Sequence, residues 1–414
     1  MQQKLHLNFN VKALLVCLLL FTVAFSVYGA VGEGHPNYYN YYVRLADAFL
    51  HGRLYLMENP SWLNELIPNP SGPGFYVVYP PLPAFIMTPL VALAGLQLDQ
   101  TLISLFFGGA AVVFAYVVAK DVSKKPDGEG KRSEKTYLWF AALFGFGSIF
   151  VSLASNGSVW LIAQVISVFF LFLAIHEAFG KKRPLVMGLL VGASFWCRLP
   201  TLLGIFFFAA LIISRQANQG WGSKLRAAIP SLLKLALGAG VFVAFDMAYN
   251  FVRFGAFFDV GYWMIPNILN EPWFSHGLFS LEYIPENLIP FLGGLPTFTS
   301  AAPFIQAPMS GLAIWFTTPA FVFALKAKLK DAVTWACWIA IIAIGFIIFT
   351  KGLSGWGFGY RYAMDFYPFL YVLTVRGMSG NLRWYHKLLI IFGIVVNVWG
   401  AVAVNKFPNS HVLV

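Results

Sequence analysis

Long apolar runs separated by short basic loops dominate the chain. An apolar run of about 20 residues is long enough to cross a membrane as a helix. The Lys and Arg residues that keep a loop in the cytoplasm give each crossing its direction. Together they predict about eleven spans, at residues 11–30, 101–120, 136–153, 158–178, 184–198, 200–215, 230–252, 308–326, 332–350, 361–376 and 387–405. The predicted fold is an all-α polytopic membrane protein, with a single transmembrane domain over residues 1–414.

Two long segments interrupt this pattern on one predicted side. Lys4 and Lys12 place the N-terminus in the cytoplasm, so residues 31–100 form a first outer loop and residues 253–307 a second. The first run precedes Ser-Val-Tyr-Gly-Ala, which has the form of a signal-peptide cleavage site. We interpret this run as an uncleaved anchor, because the polar loop after it needs a tether. These features predict a multi-pass protein of the plasma (inner) membrane with its active face outward.

The first outer loop contains two predicted helices at the membrane surface. Polar and apolar residues recur at helical spacing over residues 40–53, which indicates an amphipathic helix that ends or bends at Gly52. Its polar face carries Asn40, Arg44, Asp47 and His51. Residues 79–96 contain four prolines and make a poor regular span. We therefore predict that this segment is a helix lying along the outer interface.

Composition supports a membrane protein and narrows its partners. The chain is 59% hydrophobic and 11% charged, whereas soluble proteins carry about 25% charged residues. The net charge of +11 comes from cytoplasmic loop residues such as Lys124, Lys125 and Lys131, so we expect no nucleic-acid partner. The three cysteines lie in apolar runs without metal-ligand spacing.

Two carboxylates near the first span are candidates for acid–base chemistry. Glu33 lies between two glycines just after the span, and Asp47 lies on the polar face of the predicted surface helix. Either is a candidate general base between the head-group layer and the outside. The alternative for Asp47 is an ordinary pairing with Arg44 and His51 on a wet helix face.

Four motifs, in this order, resemble the GT-C superfamily of polyprenyl-phosphate-sugar-dependent glycosyltransferases. The superfamily includes the protein O-mannosyltransferases and the lipid A aminoarabinose transferases. The motifs are Tyr-x-x-x-Leu-Ala-x-Ala-x-Leu-x-Gly-Arg-Leu in the first loop, Tyr79-Pro80-Pro81-Leu82, Tyr249-Asn250-x-x-Arg253-Phe254-Gly255, and Gly359-Tyr360-Arg361-Tyr362 followed by Pro368.

The resemblance implies two juxtamembrane helices in the first loop and an acidic residue there as base. This chain departs from the pattern at that point. The expected acidic position falls near Asn37-Tyr38-Tyr39, and a second acidic position in the next outer turn is Ser155-Asn156-Gly157. The predicted catalytic residues are therefore Glu33 and Asp47, either of which takes over the role.

The resemblance also implies cations that hold a phosphate leaving group, for which the guanidinium fork of arginine is suited. The predicted donor-binding residues are Arg361, Arg253, Arg198, Tyr360 and Tyr79. The predicted substrate-binding residues are His35, Tyr38, Tyr39, Arg44, His51 and Asn156.

The implied function is an inverting hexosyl- or pentosyltransferase. It moves a sugar from a polyprenyl-phosphate donor to a glycan, lipid or protein acceptor at the outer membrane face. The alternative is a non-catalytic relative that binds or transports a lipid-linked sugar. No cofactor is predicted. A divalent-metal site from Glu271, His276 and Glu282 has no diagnostic spacing.

Overall fold

The structure is a computed structural model that describes residues 11–123, 132–217, 220–300, 302–352, 357–407 and 411–412. Lys4, Lys124, Lys125 and Lys131 lie outside the described residues. Sixteen α-helices form within the described ranges. They are α1 (Val11–Val31), α2 (Tyr41–Leu50), α3 (Leu82–Ala94), α4 (Gln100–Ser123), α5 (Glu134–Gly145), α6 (Phe150–Ala154), α7 (Val159–Phe179), α8 (Pro184–Phe195), α9 (Ile205–Ser214), α10 (Trp221–Phe254), α11 (Gly261–Met264), α12 (Tyr283–Gly293), α13 (Ile314–Thr317), α14 (Ala332–Thr350), α15 (Tyr367–Gly377) and α16 (Trp384–Lys406).

Six of these helices are long and apolar enough to cross a membrane: α1, α4, α7, α10, α14 and α16. They coincide with six of the predicted spans, and the protein is a mainly helical, multi-pass membrane protein. The count of eleven spans is not confirmed. Residues 136–153 divide into α5 and α6, and residues 308–326 contain only one helical turn before a 3₁₀ segment. Pro319 starts that segment, and a proline cannot continue the hydrogen bonding of a preceding helix.

Short 3₁₀ helices connect or extend several of these elements. They are Gly95–Gln97, Leu199–Gly204, Ile268–Asn270, Pro272–Phe274, Pro319–Lys326 and Arg361–Asp365. The segment Leu199–Gly204 runs directly into α9, and Arg361–Asp365 lies just before α15. These two segments therefore account for the starts of the spans predicted at 200–215 and 361–376.

Two small sheets correct the all-α prediction. Strands β1 (Leu66–Pro68) and β2 (Phe75–Val77) form an antiparallel hairpin in the first loop. Strands β3 (Thr297–Phe298), β4 (Ile305–Pro308) and β5 (His411–Val412) form a second sheet in the order β3-β4-β5. The turn between β1 and β2 is rich in Pro, Gly and Asn, the residues that favour a chain reversal.

The helices predicted in the first loop are present as α2 and α3. The apolar face of α2 is buried, and Phe49 stacks on Phe85 of α3 with ring centroids 4.4 Å apart. Gly52 adopts a φ of +67° just after α2, and the Arg53 amide donates to the Ala48 carbonyl at 2.9 Å. This left-handed ending favours glycine, as the sequence predicted. The placement of α3 along a membrane interface stays a prediction.

Helices α8 and α10 approach each other through glycines. A Cβ atom at Gly238 of α10 would lie 2.3 Å from the Leu185 carbonyl oxygen of α8, and one at Gly188 would lie 2.1 Å from the Leu235 carbonyl oxygen. Small residues permit this close backbone approach, which lets helices associate in lipid.

We expect Gly238→Ala to lower the thermal unfolding midpoint, because backbone atoms cannot yield to the added methyl group. Overpacking of this kind costs about 1–3 kcal/mol. Gly240→Ala is the matched control on the same helix, since no atom lies within 4 Å of its Cβ position. Fluorescence-monitored unfolding in detergent measures both variants. Equal midpoints would contradict the close packing described here.

Candidate functional site

Two adjoining cavities lie where the loops after α1 and α10 meet the helix bundle. The polar cavity has a volume of about 770 Å³ and includes Glu33, Tyr39, Glu65 and Asn156 in its lining. The apolar cavity has a volume of about 430 Å³ and is lined largely by side chains such as Ala163, Leu202, Leu203 and Ile348. Both cavities share five lining residues, Trp160, Tyr262, Lys351, Arg361 and Tyr362. These shared residues form the boundary between the two cavities.

Glu33 is held at the polar cavity by side-chain amides. Asn156 Nδ2 donates to Glu33 Oε1 at 2.9 Å, and Asn37 Nδ2 lies 3.1 and 3.3 Å from the two carboxylate oxygens. Contacts from these two side-chain amides orient the carboxylate at the cavity wall. Glu33 and Asn156 were predicted site residues, and the structure brings them together.

Glu65 also faces the polar cavity, and the sequence analysis did not single it out. Tyr79 Oη and Trp160 Nε1 both donate to Glu65 Oε2, the latter at 3.1 Å. Burial raises the pKa of Glu65, while the hydrogen bond from Trp160 and the positive charges of Lys351 and Arg361 act in the opposite direction. Glu65 Oε1 receives no hydrogen bond from the residues that the structure describes, so this oxygen is free to accept a proton.

Two cations at the boundary of the cavities have no acidic partner in the described part of the chain. The ion pairs found there join other groups. Arg361 is buried, and its Nε–H has no acceptor among the described atoms. Lys351 Nζ lies 4.3 Å from the ring centroid of Tyr262, and the Arg361 guanidinium lies 4.9 Å from that of Tyr362. An anion entering here would meet two cations that form no ion pair with the described residues, while their charges act at longer range on Glu65 and Asp259.

Arg198 reaches the apolar cavity but is already paired. Its Nε and terminal nitrogen donate to the two carboxylate oxygens of Asp365 at 3.2 and 2.8 Å. Gln164 Nε2 donates to the Arg361 carbonyl at 3.0 Å. These contacts hold the segment that carries Arg361 against α7 and the end of α8. Arg198 is therefore already held by a carboxylate, and its phosphate role stays a prediction.

Arg253 is also held by internal contacts, and its donor-binding role likewise stays a prediction. Its guanidinium is buried, donates to the Val77 carbonyl and to Asn250 Oδ1, each at 2.8 Å, and lies 3.7 Å from the ring centroid of Tyr249. It lines neither cavity. Arg253 thus fastens strand β2 to α10, and the charge of its side chain is satisfied internally.

The other predicted residues divide between the cavities and the surface. Tyr39 lines the polar cavity, with its ring centroid 4.8 Å from that of Trp160, and Tyr79 lines the apolar cavity. Asp47 is 3.6 Å from His51, and Arg44 pairs with Glu58 at 3.1 Å. Besides Arg253, the predicted residues that line neither cavity are His35, Tyr38, Arg44, Asp47, His51 and Tyr360.

The second loop contributes Tyr262 to the site. Within the described residues, no group of three or more His, Cys, Asp or Glu side chains is placed to hold a metal ion. His276 and Glu282 form a surface pair at 3.2 Å. Divalent-metal dependence therefore stays a question for experiment.

The fold and the site define a multi-pass helical membrane protein with joined polar and apolar cavities. Two carboxylates line the polar cavity, and two cations at the boundary form no ion pair with the described residues. Neither protein-family models nor curated proteins match the sequence. Solved structures of the oligosaccharyltransferase from Archaeoglobus fulgidus are similar in fold. One holds a tethered acceptor peptide; its TM-score is 0.45 at 11% identity, over 95% of this chain and 55% of that chain. Another is a complex with an inhibitory peptide and a dolichol-phosphate; its TM-score is 0.47 at 12% identity, over 95% of this chain and 56% of that chain.

The apo form gives a TM-score of 0.46 at 12% identity, over 95% of this chain and 56% of that chain. This chain therefore spans little more than half the length of the structures it matches. The function proposed for it rests on the geometry of the site.

Proposed function

We propose that the protein is a membrane glycosyltransferase that moves a sugar from a polyprenyl-phosphate donor to an acceptor in the polar cavity. One observation supports this most directly. Lys351 and Arg361, two cations without acidic partners among the described residues, stand where a carboxylate-lined cavity joins an apolar one. A lipid-linked sugar has the same order of parts, with an apolar chain, an anionic phosphate and a polar sugar.

The cations receive the phosphate. Negative charge builds on the phosphate oxygens as the sugar leaves, and fixed cations in a partly dehydrated site stabilise that charge. Arg361 lines both cavities, and arginine binds phosphate oxygens through two parallel N–H groups. Lys351 adds a second positive charge at the same boundary.

The apolar cavity receives the first part of the polyprenyl chain. Much of its wall comes from apolar side chains of α7, α14 and the segment before α9, with charged groups at the boundary and at Arg198 and Asp259. Aromatic rings of Tyr39 and Trp160 line the polar cavity, where they offer flat apolar faces to a sugar ring. Polar groups around them provide hydrogen-bond partners for sugar hydroxyls.

Glu65 is the proposed general base. An acceptor oxygen or nitrogen attacks the anomeric carbon, its proton passes to Glu65, and the bond between that carbon and the phosphate oxygen breaks with its electron pair on the phosphate. A single displacement of this kind inverts the anomeric centre. A carboxylate whose pKa burial has raised is a stronger base than an exposed one. Glu33, held by amides, is the proposed contact for the acceptor.

Sugar transfer in lipid-reconstituted protein tests the proposal. The donors are a panel of polyprenyl-phosphate sugars, the acceptor is a membrane-lipid extract or a peptide mixture, and parallel reactions contain EDTA. Transfer that persists in EDTA supports a reaction without a dissociable metal. Binding of polyprenyl phosphate without transfer from any donor would overturn the enzyme proposal and favour a binding or transport protein.

We expect Trp160→Phe to move the acid limb of kcat/KM to higher pH. The indole N–H stabilises ionised Glu65, so its loss raises the pKa of Glu65 further. The base works only when ionised, and the rate then falls at a higher pH than in the parent protein.

The control for this pH shift is Trp315→Phe, because the Trp315 indole donates to the Leu292 carbonyl and lines neither cavity of the site. Measurement of kcat/KM against pH compares the two variants. Superimposable profiles for Trp160→Phe and the parent protein would remove Glu65 as the titrating group.

A further inference from the structure

A chain of hydrogen bonds runs from the last helix to Glu33. Asn405, near the end of α16, donates from Nδ2 to the Val31 carbonyl at 3.1 Å and to Ser155 Oγ at 2.9 Å. Its Oδ1 accepts from Asn156 Nδ2 at 3.0 Å. The same Asn156 nitrogen donates its other hydrogen to Glu33 at 2.9 Å. Asn405 therefore touches the carboxylate only through Asn156.

Every link in this chain has a fixed direction. Asn156 Oδ1 accepts from the Ser158 amide at 2.8 Å and from Asn37 Nδ2 at 3.4 Å. A reversed Asn156 amide would place its oxygen against the oxygens of both Glu33 and Asn405. Ser155 Oγ donates to the Ser152 carbonyl at 3.2 Å, so it meets Asn405 as an acceptor. The bonds that run from Asn156 through Asn405 and Ser155 to Ser152 point the same way and so strengthen one another. The bond to Glu33 is donated separately by the same Asn156 nitrogen.

We propose that Asn405 is a positioning residue that holds Glu33 in place for the acceptor substrate. The role given to Glu33 rests on the proposed function. Asn405 and Asn156 are both buried, so water competes little for the bond between them. Asn405 fixes the Asn156 amide, and that amide fixes one oxygen of Glu33.

The arrangement also specifies the acceptor group. Asn37 and Asn156 supply N–H groups to Glu33 from the protein side, and the carboxylate oxygens act as hydrogen-bond acceptors toward whatever enters the cavity. The acceptor substrate must therefore present a hydrogen-bond donor there, either a hydroxyl or an amine. An acceptor analogue with a methyl ether or a tertiary amide at that place loses this contact.

Kinetic measurements distinguish a positioning role for Asn405 from a purely structural role in joining α1 and α16. We expect Asn405→Leu to raise the KM for the acceptor roughly tenfold to a hundredfold, as misplacement of a binding group does. The KM for the donor and kcat at saturating acceptor should change by less than about twofold. Asn397→Leu is the control, since Asn397 is also buried on α16 but donates to the Thr317 and Gly393 carbonyls. An equal rise in acceptor KM for Asn397→Leu would overturn the inference.

A second measurement does not depend on transfer. Thermal unfolding of Glu33→Ala, Asn405→Leu and the double variant forms a double-mutant cycle, with Asn397→Leu replacing Asn405→Leu in a parallel cycle. We expect non-additive shifts of the midpoint only in the cycle with Asn405. Additive shifts would overturn the inference whether or not sugar is transferred. Non-additive shifts in a protein that transfers no sugar would keep the Asn405–Glu33 coupling and overturn the proposed function.

Discussion

Glu65→Gln is expected to lower kcat for sugar transfer by roughly a hundredfold to ten-thousandfold, the usual contribution of a general base. The substitution keeps the size of the side chain and leaves an oxygen that can accept from Tyr79 and Trp160. It removes the group that takes the proton from the acceptor. The KM for the donor should change little, because Lys351 and Arg361 are unaltered.

This loss of rate should occur without loss of stability. Burial raises the pKa of Glu65, so the folded state binds the Glu65 proton more tightly than the unfolded chain does. The ionised side chain therefore costs folding free energy, and this cost grows as the pH rises from the ordinary glutamate pKa to the raised one. At neutral pH, a neutral glutamine should leave the unfolding midpoint unchanged or raise it.

The matched control is Glu58→Gln in the same loop. Glu58 is largely exposed and pairs with Arg44 at 3.1 Å, away from both cavities. Exposed pairs of this kind contribute little to stability, so transfer should match the parent protein. A folded Glu65→Gln protein that keeps most of its kcat would show that Glu65 is not the base. Glu33→Gln, assayed beside it, would then test the other carboxylate of the polar cavity.

Local sequence signals predicted the helices well, because apolar length and glycine endings act within a few residues. Apolar length predicted span 11–30, and a glycine ending predicted the helix that stops before Gly52. The site was predicted only in part. Glu33, Asn156 and Arg361 lie at loop positions where polar residues interrupt apolar runs, and all three line the polar cavity.

The rest of the site depends on contacts between distant segments. The β1–β2 hairpin brings Tyr79 close to Glu65, where the two side chains form a hydrogen bond. No sequence pattern around residue 65 indicates that contact. A motif also cannot separate a free arginine from a satisfied one. Arg253 and Arg361 both adjoin aromatic residues, but the Val77 carbonyl and Asn250 occupy the first, whereas the Nε–H of the second has no acceptor among the described atoms.

The second large expected effect is the loss of phosphate binding when the Arg361 guanidinium is removed. Arg361→Gln is expected to weaken binding of polyprenyl phosphate by roughly tenfold to a hundredfold, the range for losing hydrogen bonds to a charged group. Arg361→Lys should recover only part of the affinity, because an ammonium cannot form the two parallel bonds of a guanidinium. The guanidinium forms no ion pair with the described residues, so its removal should leave the fold intact.

Binding to protein in lipid nanodiscs, with polyprenyl phosphate and uncharged polyprenol as paired ligands, measures this effect. Only the phosphate ligand should bind more weakly to Arg361→Gln, since the apolar cavity that receives the chain is unchanged. Lys406→Gln is the control, because Lys406 is an exposed cation close to Gly34 and lines neither cavity. Equal weakening for polyprenyl phosphate and polyprenol would mean that Arg361 shapes the cavity and does not bind the phosphate. Unchanged binding of polyprenyl phosphate would contradict the proposed role of Arg361 in holding the donor.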